Sequence, residues 1–200
     1  MKKIMFSDDY CLTQAVLDGT KTMTRRFGIA NIAAGDVPKI HSVRCTSDKA
    51  QKVFTLHNKD GEYIGKLIPR YSVGEVVAIA QCYKEIYPNA DFEMIDGAFM
   101  TESAGWTNKM FVRANLMKHH IKITDVKIER LQDISCENCL REGIKEIDIT
   151  HYRKRYVFGD RKIEYHIPRE AFAVLIDKVS GKGTWESNLW MVAYSFELVD

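Results

Sequence analysis

Two periodicities run along this chain. From 190 to 198 every second residue is large and apolar (Trp190, Val192, Tyr194, Phe196, Leu198), which is the period of a strand. Ile121, Ile123, Val126 and Ile128 predict a second strand over 121–128. The unbroken apolar run 76–80 predicts a strand buried on both faces. Residues 3–6, 40–46, 52–57 and 62–67 predict shorter strands, with the last two joined as a hairpin by Asn58-Lys59-Asp60-Gly61. Residues 152–158 and 162–167, either side of Gly159-Asp160, predict another hairpin with basic residues facing outward. Helical spacing appears three times. Cys11, Leu12, Ala15 and Val16 follow the capping stretch Ser7-Asp8-Asp9 and stop at Gly19. Ser135 caps a short helix that runs through Glu142 to Gly143. Pro168 opens a last helix with Phe172, Leu175, Ile176 and Val179 as its core face, ended by Gly181 and Gly183.

These elements do not form regular strand-helix-strand units. The expected fold class is α+β: a mixed or antiparallel sheet closed as a barrel, with a few flanking helices. Two hundred residues fit one domain over 1–200. The irregular stretch 88–108 and the hairpin region 151–167 read as insertions, and 27–39, rich in Gly, Ala and Asn, reads as loop.

Charge changes the picture in one respect. The formal net charge is +2, so any nucleic-acid surface must be a local patch, not a polybasic chain. The local clusters are Arg25-Arg26, Lys118-His119-His120, and Arg153-Lys154-Arg155 with Arg161-Lys162. No apolar run approaches the roughly 20 residues of a membrane span, and the N-terminal lysines are not followed by the apolar region of a signal peptide. Five irregularly spaced cysteines read as free thiols in a reducing compartment. The expectation is a cytoplasmic protein that does not engage a membrane.

The densest chemistry lies in Gly19-Thr20-Lys21-Thr22-Met23-Thr24-Arg25-Arg26, at the exit from the first helix. An extended Thr22–Arg26 puts Thr22, Thr24 and Arg26 on one face, and Met23 and Arg25 on the other. A hydroxyl flanked by cations suits an anionic or carbonyl-bearing ligand. The same residues could equally form a solvated basic strand start.

This stretch, Gly-x-Lys-x-x-Thr-x-Arg, resembles the signature of the ASCH domain, a member of the PUA-like superfamily. Four further segments resemble the family in the same order. They are Tyr71-Ser72-Val73-Gly74-Glu75-Val76-Val77, then Ile123-Thr124-Asp125-Val126 with Leu131-Gln132-Asp133-Ile134-Ser135, then Cys139-Leu140-Arg141-Glu142-Gly143, then Thr184-Trp185-Glu186-Ser187-Asn188-Leu189-Trp190. The last is similar to phage and prophage members. The resemblance implies a small barrel with a cleft near the signature, and an RNA, nucleotide or nucleoside ligand. Some small bacterial members are amidohydrolases that deacylate N4-acylated cytidine without a metal or cofactor. Carried over by motif, their catalytic set falls on Lys21, Thr24 and Glu142. The ligand-binding candidates are Arg26, then Gln81 and Tyr83 on a strand neighbouring the cleft, and Trp185 with Asn188 in a late loop. Phage-type relatives have Arg-Glu-Thr-Trp where this chain has Ala80-Gln81-Cys82-Tyr83, and a proline where it has Leu189, so ligand choice is expected to differ.

The residue types fit that chemistry. A threonine hydroxyl needs a base to become a nucleophile. A lysine can be that base when burial or a neighbouring cation lowers its pKa. A glutamate can carry the proton to the leaving amine. The catalytic reading therefore requires Glu142 to reach Lys21. Three functions follow: an RNA-, nucleotide- or nucleoside-binding protein, an amidohydrolase on acylated nucleosides, or an accessory protein acting through a protein partner. Other clusters carry weaker alternatives. Cys136 and Cys139 have metal-ligand spacing but no second pair, so they also read as free helix thiols. Adjacent His119 and His120 point oppositely on a strand. Trp106, Trp185 and Trp190 can stack bases or pack, and the Arg153–Arg155 region can contact phosphates or simply face solvent.

Overall fold

The computed structural model describes the chain apart from residues 28–38, 48–49, 91, 96, 151–152 and 161–162. In chain order the elements are β1 (Lys3–Ile4), α1 (Leu12–Leu17), β2 (Met23–Phe27), β3 (Ser42–Cys45), β4 (Phe54–His57), β5 (Tyr63–Leu67) and β6 (Val76–Ile79). There follow α2 (Tyr83–Ile86), β7 (Met94–Ile95), β8 (Ala98–Phe99), β9 (His120–Arg130), α3 (Cys136–Arg141), β10 (Lys145–Thr150), β11 (Arg153–Val157), α4 (Pro168–Ser180), α5 (Thr184–Ser187) and β12 (Trp190–Leu198). The fold is α+β.

The main sheet has the order β1-β6-β9-β12-β2, with β1 and β6 parallel and the other pairs antiparallel. The alternating 190–198 stretch is its long inner strand. Met191 through Phe196 are buried on both faces, which explains why Ser195 is the only polar residue among them. β3, β4 and β5 form a separate three-stranded sheet around the Asn58–Gly61 turn. One core cluster joins both sheets to α1, α3 and α4. A second, containing Tyr83, Ile86, Met100, Val112 and Met117, lies under the irregular region after β6. The 88–108 stretch thus belongs to a region with its own buried centre.

The expected barrel is not seen. Among the described residues, no strand pairing joins the sheets into a closed ring. β2 ends the main sheet, and just before it the Thr22 N–H donates to Arg141 O at the end of α3 (2.9 Å). The expected hairpin over 152–167 is also corrected. β11 pairs with β10, which the periodicity did not reveal, and the expected pairing with 162–167 is reduced, among the described residues, to one antiparallel bridge in which Tyr156 and Tyr165 exchange both backbone hydrogen bonds. Charge explains the choice: Asp148 sits opposite Lys154, and Glu146 pairs with the Lys154 ammonium at 2.6 Å. The first helix starts later than expected, after a tight turn at Asp8–Tyr10 and a left-handed Cys11 (φ 53°). Val179 is exposed, so the core face of α4 ends at Ile176. The loop expected at 27–39 falls almost wholly outside the described residues, as do parts of 88–108 and 151–167.

α3 forms as predicted. The Ser135 hydroxyl accepts from Asn138 N–H (3.2 Å), and Glu142 is the C-cap residue. Ser135→Ala should therefore cost about 1 kcal/mol, and Ser135→Asp should restore most of it, as read by chemical denaturation. Equal stability of Ser135→Ala and wild type would deny the cap a role.

Candidate active site

Two local structures bring the signature to Glu142. Gly19, at φ +71°, turns the chain out of α1. There the Lys21 N–H (2.8 Å) and the Thr20 hydroxyl (3.0 Å) both donate to Ala15 O. Gly143, at φ +102°, ends α3 against the aliphatic stem of Lys21. A Cβ there would lie 3.5 Å from Lys21 Cδ and 3.0 Å from a Leu12 methyl, so the glycine permits a close approach.

Lys21 and Glu142 meet in the interior, 2% and 4% exposed. Lys21 Nζ donates to Glu142 Oε2 (2.8 Å) and to the Glu142 main-chain oxygen (2.6 Å). Arg25 Nη1 donates to the other carboxylate oxygen, Oε1 (2.8 Å), and Arg25 Nη2 donates to Glu129. Glu142 is thus clamped between two buried cations. Burial pushes the Lys21 ammonium below the ordinary lysine value, against the pull of Glu142 and helped by Arg26 and Arg25. Phe6 lies 5.8 Å from Lys21 Nζ, which adds a ring face to the same pocket.

The three threonines of the signature differ in one respect. The Thr20 hydroxyl is spent on Ala15 O, and the Thr22 hydroxyl accepts from Arg141 Nε (3.1 Å). Thr24 is 5% exposed, and its hydroxyl makes no hydrogen bond among the described residues. Thr24 lines a cavity of about 150 Å³ together with Lys21, Arg25, Arg26 and Glu142. Phe172 and Leu175 of α4 close its apolar side. An unpaired hydroxyl on the cavity wall, a lysine with a lowered pKa and a clamped carboxylate around one cavity can do acyl-transfer chemistry.

Arg26 reaches the cavity by another route. Its guanidinium donates to Met5 O and lies 5.5 Å from the Phe6 ring centre. Its Nε is buried without a partner among the described residues. The other ligand candidates lie elsewhere. Gln81 accepts from Lys118 N–H (2.9 Å) and borders a separate hollow beside α1. Tyr83 is not on a neighbouring strand but opens α2, buried in the second core cluster. Trp185 packs edge-on against Phe172 (6.2 Å) and under Arg169, and its carbonyl accepts from Gln132. Asn188 accepts from Gln132 N–H (2.9 Å) and turns the chain into β12 with φ 44°. Trp185 backs Phe172, and neither residue lines the cavity.

The residue missed from sequence is Arg25. Alternation put it beside Met23, away from Thr24; Arg25 Nη1 does touch Met23 Sδ (3.5 Å), but Arg25 also lines the cavity that Thr24 lines. Its side chain nonetheless reaches Glu142. The available signal was an arginine on an apolar face, which must find a carboxylate. Nothing local said which one. Elsewhere, His119 and the His120 N–H both engage Asp200, and all five cysteines are free. Among the described residues no group of three His, Cys, Asp or Glu is placed to hold a metal ion, around Cys136 and Cys139 or elsewhere. No helix of the described residues is long and apolar enough to cross a membrane. No protein-family profile, curated protein or solved structure matches this chain.

Proposed function

We propose that this chain is an ASCH-type protein with a PUA-like core, and that its Lys21–Thr24–Glu142 cavity hydrolyses the acyl amide of an N4-acylcytidine-type nucleoside. The observation that carries the reading is the unpartnered Thr24 hydroxyl on the same cavity as the buried Lys21–Glu142 pair. Thr24 Oγ attacks the amide carbonyl carbon while its proton passes to the Lys21 amine in its neutral form. The C–N bond then breaks, and Glu142 relays the proton to the leaving amine. Water cleaves the acyl–Thr24 ester, releases the carboxylic acid and restores the hydroxyl. Arg25 holds the Glu142 carboxylate in place throughout.

Binding of RNA, a nucleotide or a nucleoside without chemistry is the second reading. It is favoured by the Lys21 ammonium, which already holds two acceptors on Glu142. One assay separates them. Purified protein is incubated with N4-acetylcytidine, with and without EDTA, and cytidine release is followed. The expected result is release that EDTA does not change. No release by folded protein, with the nucleoside bound, would sink the hydrolase reading and leave the binding one.

A further inference from the structure

We infer that the groove adjoining the Lys21 cavity is a phosphate subsite formed by Arg26 and Arg70. It would make the preferred ligand a nucleotide and not a neutral nucleoside. This rests on the proposal that the neighbouring cavity takes the acylated base. The two spaces share Met5, Arg26 and Phe27 on their walls. The cavity, at about 150 Å³, is smaller than the roughly 300–1,000 Å³ of ordinary small-molecule sites, whereas the groove holds about 720 Å³. A ligand with its reacting amide at Thr24 must extend past Arg26 into the groove.

The groove's charge is one-sided. Its lining contains Lys3, Arg26 and Arg70 and no Asp or Glu. Lys3 directs its ammonium to the carbonyls of Lys109, Met110 and Val112, so it contributes charge but its donors are taken. Arg70 is different. It is exposed, lies 5.5 Å from the Tyr71 ring centre, and its guanidinium has no carboxylate or carbonyl partner among the described residues. Arg26 lines the same groove, and its guanidinium gives Nη2 to Met5 O. Burial, and in smaller part the repulsion of Arg70, lowers the Arg26 pKa. The Tyr194 hydroxyl, on the same lining, accepts from the Arg70 main-chain N–H (3.0 Å), and its own proton has no acceptor among the described residues. Two guanidiniums and a hydroxyl on the lining of one groove that holds no Asp or Glu match a phosphate, which guanidinium forks bind through paired hydrogen bonds.

Phosphate could arrive as the terminal monoester of a nucleotide or as the diester of RNA. The test is calorimetric titration of the full chain at one low salt concentration. Its ligands are cytidine, cytidine 5′-monophosphate and a four-residue oligocytidylate, on wild type and on Arg70→Gln. Arg70 lies outside the catalytic set, and its exposure makes the variant safe to fold. Wild type is expected to bind the monophosphate about tenfold more tightly than cytidine. Arg70→Gln should abolish that preference and leave cytidine binding unchanged. An oligomer that binds more tightly than the monophosphate assigns the site to RNA, and one that binds no more tightly assigns it to a terminal phosphate. Equal affinity of wild type for cytidine and its monophosphate would overturn the subsite and leave the cavity's function standing. If neither binds, the acetylcytidine assay decides the proposed function, and inorganic phosphate decides the subsite. Thermal stabilisation lost in Arg70→Gln upholds it, and absence of stabilisation overturns it.

Discussion

Glu142→Ala will lower the stability of this protein by about 3–5 kcal/mol, among the larger effects a single substitution produces. The reason is burial. The Lys21, Arg25 and Glu142 side chains are 2%, 0% and 5% exposed, and the carboxylate is the counter-charge that both cations share. Its removal leaves the ammonium with only the Glu142 main-chain oxygen, next to a like charge. Arg25 keeps Glu129, which holds the loss within that range. For a chain of this size the melting temperature should fall by about 6–20 °C. Glu142→Gln keeps the volume and one acceptor and should lie between the two. High salt provides a second reading. Buried pairs are screened little, so the deficit should persist in 1 M salt. The exposed Lys154–Glu146 pair should show no such persistence. A Glu142→Ala melt within about 1 °C of wild type would show that the three-charge cluster does not hold α3 to β2.

The parts of this fold that the sequence revealed are those with local causes. The 190–198 and 121–128 strands, the 58–61 turn, the Ser135 cap and the Pro168 start each depend on residues within a turn or two of one another. The pairing of β11 with β10 was hidden because it depends on which strand offers Glu146 and Asp148 to Lys154. The barrel was an inference from element count, and the strand order did not supply the closure. At the site, the motif was legible at Lys21, Thr24 and Arg26 because they lie within six residues. Glu142 came through resemblance, and the structure places it on Lys21. Arg25 and Arg70 were not legible. One needed the identity of carboxylates more than a hundred residues away, and the other needed the lining of a groove formed by β1, β2 and the 68–71 turn. Gln81, Tyr83, Trp185 and Asn188 went to other environments because a motif position fixes neither side-chain direction nor neighbours.

Thr24→Ala will reduce turnover of N4-acetylcytidine by at least about a thousandfold while leaving the melting temperature almost unchanged. The first half follows from losing the nucleophile, and no base or proton shuttle can substitute for it. The second follows from geometry, since the hydroxyl supports no other group among the described residues. Thr24→Ser keeps a hydroxyl on a less restrained rotor and should recover part of the rate. Lys21 supplies a separate test through pH. Its ammonium sits below the ordinary value of 10.5, and only the neutral amine accepts the Thr24 proton. Turnover should therefore rise with pH and reach its plateau below 10.5, because below the lowered pKa the amine is protonated and no base is present. Thr24→Ser should keep that ascending limb. Lys21→Arg should lose both rate and limb, since a guanidinium cannot be deprotonated in this range. Cytidine release by Thr24→Ala at the wild-type rate would remove Thr24 from the chemistry. An ascending limb that survives in Lys21→Arg would transfer the base to another group and leave Lys21 as the structural partner of Glu142.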